Sequence, residues 1–144
     1  EAAAKDQLFG LAFHRVMALC AEPASINEAM QVALEEGSVG SEQQAEIRQG
    51  AERFWQHIAQ NQLFDGVIEQ FNEQRIIAGI NELKQPDKVW LKANEVLVID
   101  FKTGKRKDKD LEQISAYAQL LGQIFNLPVR AMIYYVQLDL FLDL

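Results

Sequence analysis

The sequence predicts a mixed α/β (α+β) fold in which helices flank a mixed sheet. Three observations lead to this class. Apolar residues recur at helical spacing through the first part of the chain, three short β-rich runs follow one another in the middle, and a further helix pattern then precedes another β-rich run. At 144 residues the chain is long enough to bury one hydrophobic core, so we expect one domain over 1–144.

The first part of the chain is predicted to be helical. We expect helices at about 2–21, 25–36 and 41–58. Pro23 closes the first of these and Gly37 ends the second, since neither residue favours continuation of a helix.

The third helix has a start signal of its own, because Ser41 and Gln44 stand three residues apart, as in a capping box. A fourth, shorter helix is expected from Leu63 to about Gln70. The helical part of the domain would then comprise 1–70, and 71–144 would supply the sheet and a further helix.

The three strands of the meander are predicted at about 72–80, 87–92 and 95–102. The last two form a hairpin if the chain turns at Ala93-Asn94. Paired residue numbers then sum to 187, which sets Asp87 directly opposite Asp100. Lys102 lies on the same face as Asp100, since side chains alternate along a strand.

Two carboxylates that face each other repel, by roughly 0.2–1 kcal/mol in an ordinary sheet and by more when buried. A bound divalent cation would offset that repulsion, because hard ions such as Mg2+ take carboxylate oxygens as ligands. The alternative is that Asp87 is only a turn residue after Pro86, and that Asp100 and Lys102 merely end a buried strand.

The remaining elements follow a basic loop over 101–110. Asp110 is expected to cap a helix from Leu111 to Ile124. Strands are expected at 129–136 and 138–144.

Composition limits the possible partners. The net charge of −7 argues against a free-standing nucleic-acid binder, whose affinity for phosphates depends on Lys and Arg. The loop at 101–110 is locally basic, and either a solvated loop or a phosphate-facing surface accounts for it.

A single cysteine, Cys20, cannot form an internal disulfide or hold an iron–sulfur cluster, so we expect a cytoplasmic protein without such a cluster. No apolar run approaches the length that a membrane span needs, and no membrane partner is expected.

Several motifs occur in a fixed order along nearly the whole chain. They are Gly10-x-x-x-His14, Asn72-Glu73, Pro86-Asp87, Val98-Ile99-Asp100-Phe101-Lys102-Thr103-Gly104 and Gln113-x-x-x-Tyr117. Together these motifs resemble the PD-(D/E)xK nuclease superfamily, and specifically its RecB-like exonuclease branch, which is found at the end of bacterial recombination helicases.

The resemblance implies a restriction-endonuclease-like core with extra N-terminal helices, and a metal-dependent nuclease that acts on DNA. By the resemblance, His14, Asp87, Asp100 and the Phe101 carbonyl hold Mg2+ or Mn2+. Asp87, Asp100 and Lys102 are the implied catalytic residues, with Lys102 orienting the attacking water.

The resemblance also implies supporting roles for Glu73, Gln113 and Tyr117. It further implies fusion to, or association with, a helicase domain and a recombination partner subunit, which would supply most of the DNA grip that the acidic chain lacks.

The chain departs from the family pattern after its first aspartate, where family members commonly carry Arg and this chain has Lys88. His57 matches no motif and is expected to be solvated. Two alternatives remain open. One is a catalytically silent nuclease fold that guides DNA or docks a protein, and the other is a stand-alone RecB-like or CRISPR-associated exonuclease.

Overall fold

The computed structural model describes residues 2–73 and 85–144. Within these ranges it has four helices and a five-stranded sheet with strand order β1-β2-β3-β4-β5, which confirms the predicted α/β class. None of these four helices is long and apolar enough to cross a membrane. The elements are α1 (Ala2–Leu19), α2 (Ile26–Glu35), α3 (Gln44–Gln60), β1 (Glu69–Asn72), β2 (Lys88–Leu91), β3 (Val96–Lys102), α4 (Asp108–Phe125), β4 (Val129–Tyr135) and β5 (Leu140–Asp143).

The sheet is mixed. Strands β1, β2 and β3 form an antiparallel meander, β4 pairs with β3 in parallel, and β5 pairs with β4 antiparallel. Helix α4 makes the crossover that a parallel β3–β4 pair requires. The observed β2–β3 register pairs Lys88 with Ile99 and Leu91 with Val96, so the predicted hairpin register is confirmed.

The sheet separates two apolar cores. Trp90, Leu97 and Ile99 belong to the larger core, which packs against α1, α2 and α3. Val96 and Val98 point the other way, into a smaller core under α4 that includes Ile114 of that helix. Alternation along β3 therefore places Asp100 and Lys102 on the α4 side and Phe101 on the side of α1.

The predicted fourth helix is wrong. Gln62 and Gly66 have φ values of 53° and 78°, in the left-handed region that ends a right-handed helix. Leu63 is buried between them, and the Ile68 N–H already bonds to the Leu91 carbonyl at 2.8 Å. The strand predicted at 72–80 begins earlier, at Glu69, and its expected part from 74 to 80 lies outside the described residues.

Two helix starts also differ from their predictions. A 3-10 turn at Ser41–Gln43 precedes α3. The capping side chain is that of Gln43 rather than Gln44, and its Oε1 atom accepts a hydrogen bond from the Gly40 N–H at 2.9 Å. Helix α4 begins at Asp108 rather than Leu111. Asp110 lies within the first turn of α4. Its carboxylate accepts a hydrogen bond from the Lys107 N–H at 3.0 Å and so caps the N-terminus of the helix.

Candidate active site

Asp87 lies immediately before β2, at the end of the sheet where β3 also finishes. One of its carboxylate oxygens, Oδ2, accepts a hydrogen bond from the Phe101 backbone N–H at 2.7 Å. This bond fixes the carboxylate against β3, one residue from Asp100. Burial raises the pKa of Asp87, but the hydrogen bonds and charge of its neighbours, His14 first among them, outweigh burial and leave the pKa below its usual range.

Asp100 is only 4% exposed, and its Oδ2 atom has no hydrogen-bond partner. The Lys102 Nζ lies 2.8 Å from that oxygen, an ion-pair contact outside hydrogen-bond geometry. Burial, together with the hydrogen bond and negative charge of Asp87, raises the pKa of Asp100 to about 8. At neutral pH the two facing carboxyls therefore share one negative charge, which reduces the repulsion between them.

His14 reaches this pair from α1. Its Nε2 lies 3.4 Å from Asp87 Oδ2 and 3.0 Å from the Phe101 carbonyl, while its Nδ1 lies 2.7 Å from the Gly10 carbonyl. Burial opposes a charge on the imidazole, but the hydrogen bond and negative charge of Asp87 prevail and raise the pKa of His14 to about 9. The ring is therefore cationic at neutral pH, and both nitrogens donate.

The small residue at Gly10 lets α1 approach the loop after β3. A Cβ atom at this position would lie 2.9 Å from the Thr103 side-chain oxygen, which is closer than normal packing allows. The Gly10-x-x-x-His14 pair thus combines a close backbone contact with an imidazole one turn further along the same face.

Helix α4 supplies the opposite wall. The Lys102 ammonium donates to the Gln113 Oε1 atom. Tyr117, one turn further along, is buried at 3% exposure. Burial, with the charges of Asp100 and Asp87, raises the pKa of Tyr117 to about 12, so its hydroxyl stays protonated. The predicted Gln113-x-x-x-Tyr117 face therefore packs over the carboxylates and orients Lys102.

Glu73 lies just after β1, on the rim of the same site. Its backbone is left-handed at φ 55°, a conformation that is uncommon for Glu. Its Oε1 atom accepts from the Gln85 side chain at 2.9 Å. Burial and the nearby charge of Asp87 raise the pKa of Glu73 above its usual range.

All seven side chains that the sequence singled out, together with Gln85, line one open cavity of about 270 Å³. The Phe101 carbonyl lies beside these residues, 3.0 Å from the His14 Nε2 atom. A larger groove of about 480 Å³ adjoins this cavity, since Lys102 and Gln113 belong to both, and Lys109 in the first turn of α4 also lines it. The residues of the cavity are His14, Glu73, Gln85, Asp87, Asp100, Lys102, Gln113 and Tyr117.

Sequence reasoning missed two parts of the site. Gln85 precedes Pro86 by one position, and no pattern marks it as a partner of Glu73. Lys88 appeared only as a departure from the family pattern, yet it is fully buried and donates three hydrogen bonds. A lysine inside an otherwise apolar strand was the available signal, because such a residue needs buried acceptors.

His57 is partly exposed, and it also makes contacts that the sequence did not predict. Its Nε2 lies 3.0 Å from Asp139 Oδ1, and its ring stacks on Phe141 with centroids 5.3 Å apart. The Tyr134 hydroxyl donates to the same carboxylate oxygen at 2.7 Å. This cluster joins α3 to the β4–β5 turn, away from the carboxylate pair.

The donors at the carboxylate pair suit a hard divalent cation in their chemistry. Asp100 presents a buried oxygen without a hydrogen bond, and Asp87, the Phe101 carbonyl and His14 lie beside it. These groups contact one another rather than a common point. Accordingly, no group of three or more His, Cys, Asp or Glu side chains in 2–73 and 85–144 is already spaced to hold a metal ion. Binding would require His14 and Asp100 to release their protons.

Comparisons with known proteins bear on the family of the chain. The family model for the PD-(D/E)XK nuclease superfamily matches residues 1–140. No curated protein sequence matches the chain. Among solved structures, the chain is similar to protein VC1899 from Vibrio cholerae, with 16% sequence identity and a TM-score of 0.44. The match covers 89% of this chain and 46% of that one, so this chain spans about half the length of its structural neighbour.

Proposed function

Since the chain belongs to the PD-(D/E)XK nuclease superfamily, we propose that it is a Mg2+-dependent deoxyribonuclease that hydrolyses phosphodiesters by direct attack of water. The observation that carries this proposal is the convergence of all seven predicted side chains on one cavity beside a buried Asp100 oxygen that accepts no hydrogen bond. Separate motifs spread over about a hundred residues have no packing reason to meet in this way.

His14, Asp87, Asp100 and the Phe101 carbonyl would hold the ion, either Mg2+ or Mn2+. Once bound, the ion would supply Lewis-acid polarisation of the phosphate and a lower pKa for a water ligand. Asp87 is already ionised and anchored by the Phe101 N–H, so it offers a fixed oxygen. Asp100 would release its proton and hold the ion through its carboxylate.

Lys102 acts on the attacking water and on the developing negative charge. Its side chain is 23% exposed, and its ammonium is held between Asp100 and Gln113. With Asp100 committed to the ion, the Lys102 ammonium would be free to face the phosphate, where a positioned donor contributes about 10²- to 10³-fold in rate. Gln113 keeps the ammonium on the cavity side, and Glu73 and Tyr117 limit the space around it.

We place the path of the DNA strand in the groove next to the cavity. Lys102 and Lys109 line this groove together with Asp110 and Glu112, so its lining is not basic as a whole. The support for a phosphate backbone is the basic run at 105–107, which immediately precedes the helix that bears Lys109.

The biological context that we propose is the exonuclease module of a RecB-like helicase-nuclease in bacterial recombination or repair. The support is the net charge of −7, which leaves this chain with little general attraction for DNA. A fused or associated helicase domain and its partner subunit would deliver the strand to the cavity.

The experiment is degradation of end-labelled DNA by the purified chain with and without Mg2+. We expect Mg2+-dependent shortening, and loss of at least about 10²-fold in rate for Lys102→Ala. Lys92→Ala is the matched control, since Lys92 lies at the β2–β3 turn, at the opposite end of the hairpin. Equal cleavage by Lys102→Ala and the wild type would overturn the mechanism. A wild type that neither binds Mg2+ nor cuts DNA would favour a silent domain that guides DNA or docks a protein.

A further inference from the structure

Lys88 is a fully buried lysine next to the first site carboxylate. Its side chain points away from Asp87, into the layer between the sheet and α1. The ammonium donates to the carbonyls of Met17 and Cys20 and to the side-chain oxygen of Asn72, each at 2.8 Å. An ammonium has three donors, and all three find an acceptor here.

Two of these acceptors belong to the C-terminal end of α1. The last carbonyls of a helix have no partner within the helix, and this end carries the negative pole of the helix dipole. Lys88 therefore satisfies buried carbonyls and places its charge where the helix favours a cation. The Trp55 ring, centred 5.7 Å from the ammonium, contributes a further favourable contact.

The three bonds connect the elements that carry the site. Helix α1 bears His14 one turn before Met17, strand β2 begins one residue after Asp87, and Asn72 immediately precedes Glu73. The position of α1 along the sheet determines whether the His14 ring reaches the Asp87 carboxylate, 3.4 Å away.

We propose that Lys88 is a positioning residue that sets the place of His14 relative to Asp87 by clamping the end of α1 to β1 and β2. The proposal deepens the function proposed above and rests on it for its consequence in metal binding. Three acceptors around one point suit a compact ammonium, whereas a planar guanidinium presents its donors in a fork.

The expected effect is on the geometry of His14 as well as on stability. Without the clamp, α1 can shift or rotate on the sheet, and displacement of a catalytic group by about 1 Å costs on the order of 10²-fold in rate. A side chain that only fills space would alter stability and leave the His14 contacts unchanged.

The test variant is Lys88→Met, which keeps the length of the side chain and removes its donors. The matched control is Ile47→Ala, which loses fully buried apolar atoms in α3 without touching the clamp. Two readouts are compared at a temperature where both variants are folded. The first is the set of nuclear Overhauser contacts between the His14 and Phe101 rings of the metal-free protein, whose centroids lie 6.3 Å apart. The second is the affinity for Mn2+ by calorimetry.

Lys88→Met should lose or weaken the His14–Phe101 contacts. It should also bind Mn2+ at least about tenfold more weakly, which is the usual loss of metal affinity when a contact that orients a metal ligand is removed. Ile47→Ala should lose thermal stability only. Unchanged contacts and affinity in folded Lys88→Met would overturn the proposal.

If Lys88→Met does not fold, Asn72→Ala tests the role of Lys88 with the same two readouts. This variant removes one acceptor of the Lys88 ammonium, so the ring contacts and the Mn2+ affinity should both fall, by less than in Lys88→Met. The ring contacts are measured without metal. A wild type that fails to bind Mn2+ would therefore refute the proposed function, while those contacts still decide the role of Lys88.

Discussion

Metal affinity should rise steeply with pH, because the donors at the carboxylate pair hold protons that a metal must displace. Burial, offset by the stronger effects of Asp87, leaves the pKa of His14 at about 9, and burial with the charge of Asp87 raises the pKa of Asp100 to about 8. The pKa of Asp87 is lowered, so this group is already ionised at neutral pH. Only the deprotonated imidazole and carboxylate bind a cation.

The size of the effect follows from these two values. Each pKa unit above the working pH lowers the affinity about tenfold, or about 1.4 kcal/mol. At pH 7, release of the His14 proton costs about a hundredfold and release of the Asp100 proton about tenfold, which together is about a thousandfold. The affinity should therefore rise by about fiftyfold from pH 7 to pH 8, and by about tenfold from pH 8 to pH 9.

The assay is calorimetric titration with Mn2+ at pH 7, 8 and 9 in buffers that differ in their ionisation enthalpy, which counts the protons released. We expect close to two protons released per ion at pH 7 and about one between pH 8 and pH 9. An affinity that is independent of pH, with no proton released, would refute the proposed ligand set.

Three further predictions concern the pH dependence of stability, the role of Asp100 and the close approach of α1 at Gly10. Thermal unfolding monitored by circular dichroism should show a Tm that falls from pH 7 to pH 8. Burial raises the folded-state pKa of Asp100 and the Asp87 contact raises that of His14, and stability from a raised pKa is lost as pH rises through it. A Tm that rises from pH 7 to pH 8 would contradict the shifts. Asp100→Asn should unfold at a higher temperature than the wild type at pH 9, because it removes a buried ionised carboxylate, and it should lose all thermal stabilisation by Mg2+; retained stabilisation would show that Asp100 is not a ligand. Gly10→Ala should weaken Mn2+ binding through its contact with the Thr103 oxygen, and Thr103→Ala in the same chain should restore it; an affinity loss that persists in the double variant would assign another role to Gly10.

The hairpin and its carboxylates could be predicted because local rules determine them. Alternation along the strand and a turn at Ala93-Asn94 are sufficient to fix which residues face each other, and the observed register agrees. The faces of Asp100 and Lys102 follow from the same alternation. His14 could be connected to this pair only through the family resemblance, because no local pattern tells a helix which strand end it meets.

The errors have equally local causes. The segment after Leu63 has apolar residues at helical spacing, but Gln62 and Gly66 adopt left-handed backbone and the chain turns toward β2. Propensity does not foresee a left-handed Gln, which tertiary contacts such as the burial of Leu63 hold in place.

Lys88 illustrates what a sequence pattern omits. Strand alternation places its side chain on the α1 side, but the carbonyls that receive its ammonium become neighbours only when α1 packs on the sheet. The pKa values of Asp100 and His14 likewise depend on burial and on distances between segments far apart in the chain. Such contacts are properties of the fold rather than of any stretch of sequence.

The central claim is that His14, Asp87, Asp100 and the Phe101 carbonyl together hold a divalent metal. An anomalous difference map from crystals soaked in Mn2+ at pH 8 or above tests it most directly. We expect one strong peak in the cavity beneath Gln113. The Mn2+ ion at this peak would lie about 2.1 Å from oxygens of both aspartates and from the Phe101 carbonyl, with the His14 imidazole as a further ligand. A map with no peak between the two carboxylates, or with the ion bound elsewhere, would contradict it.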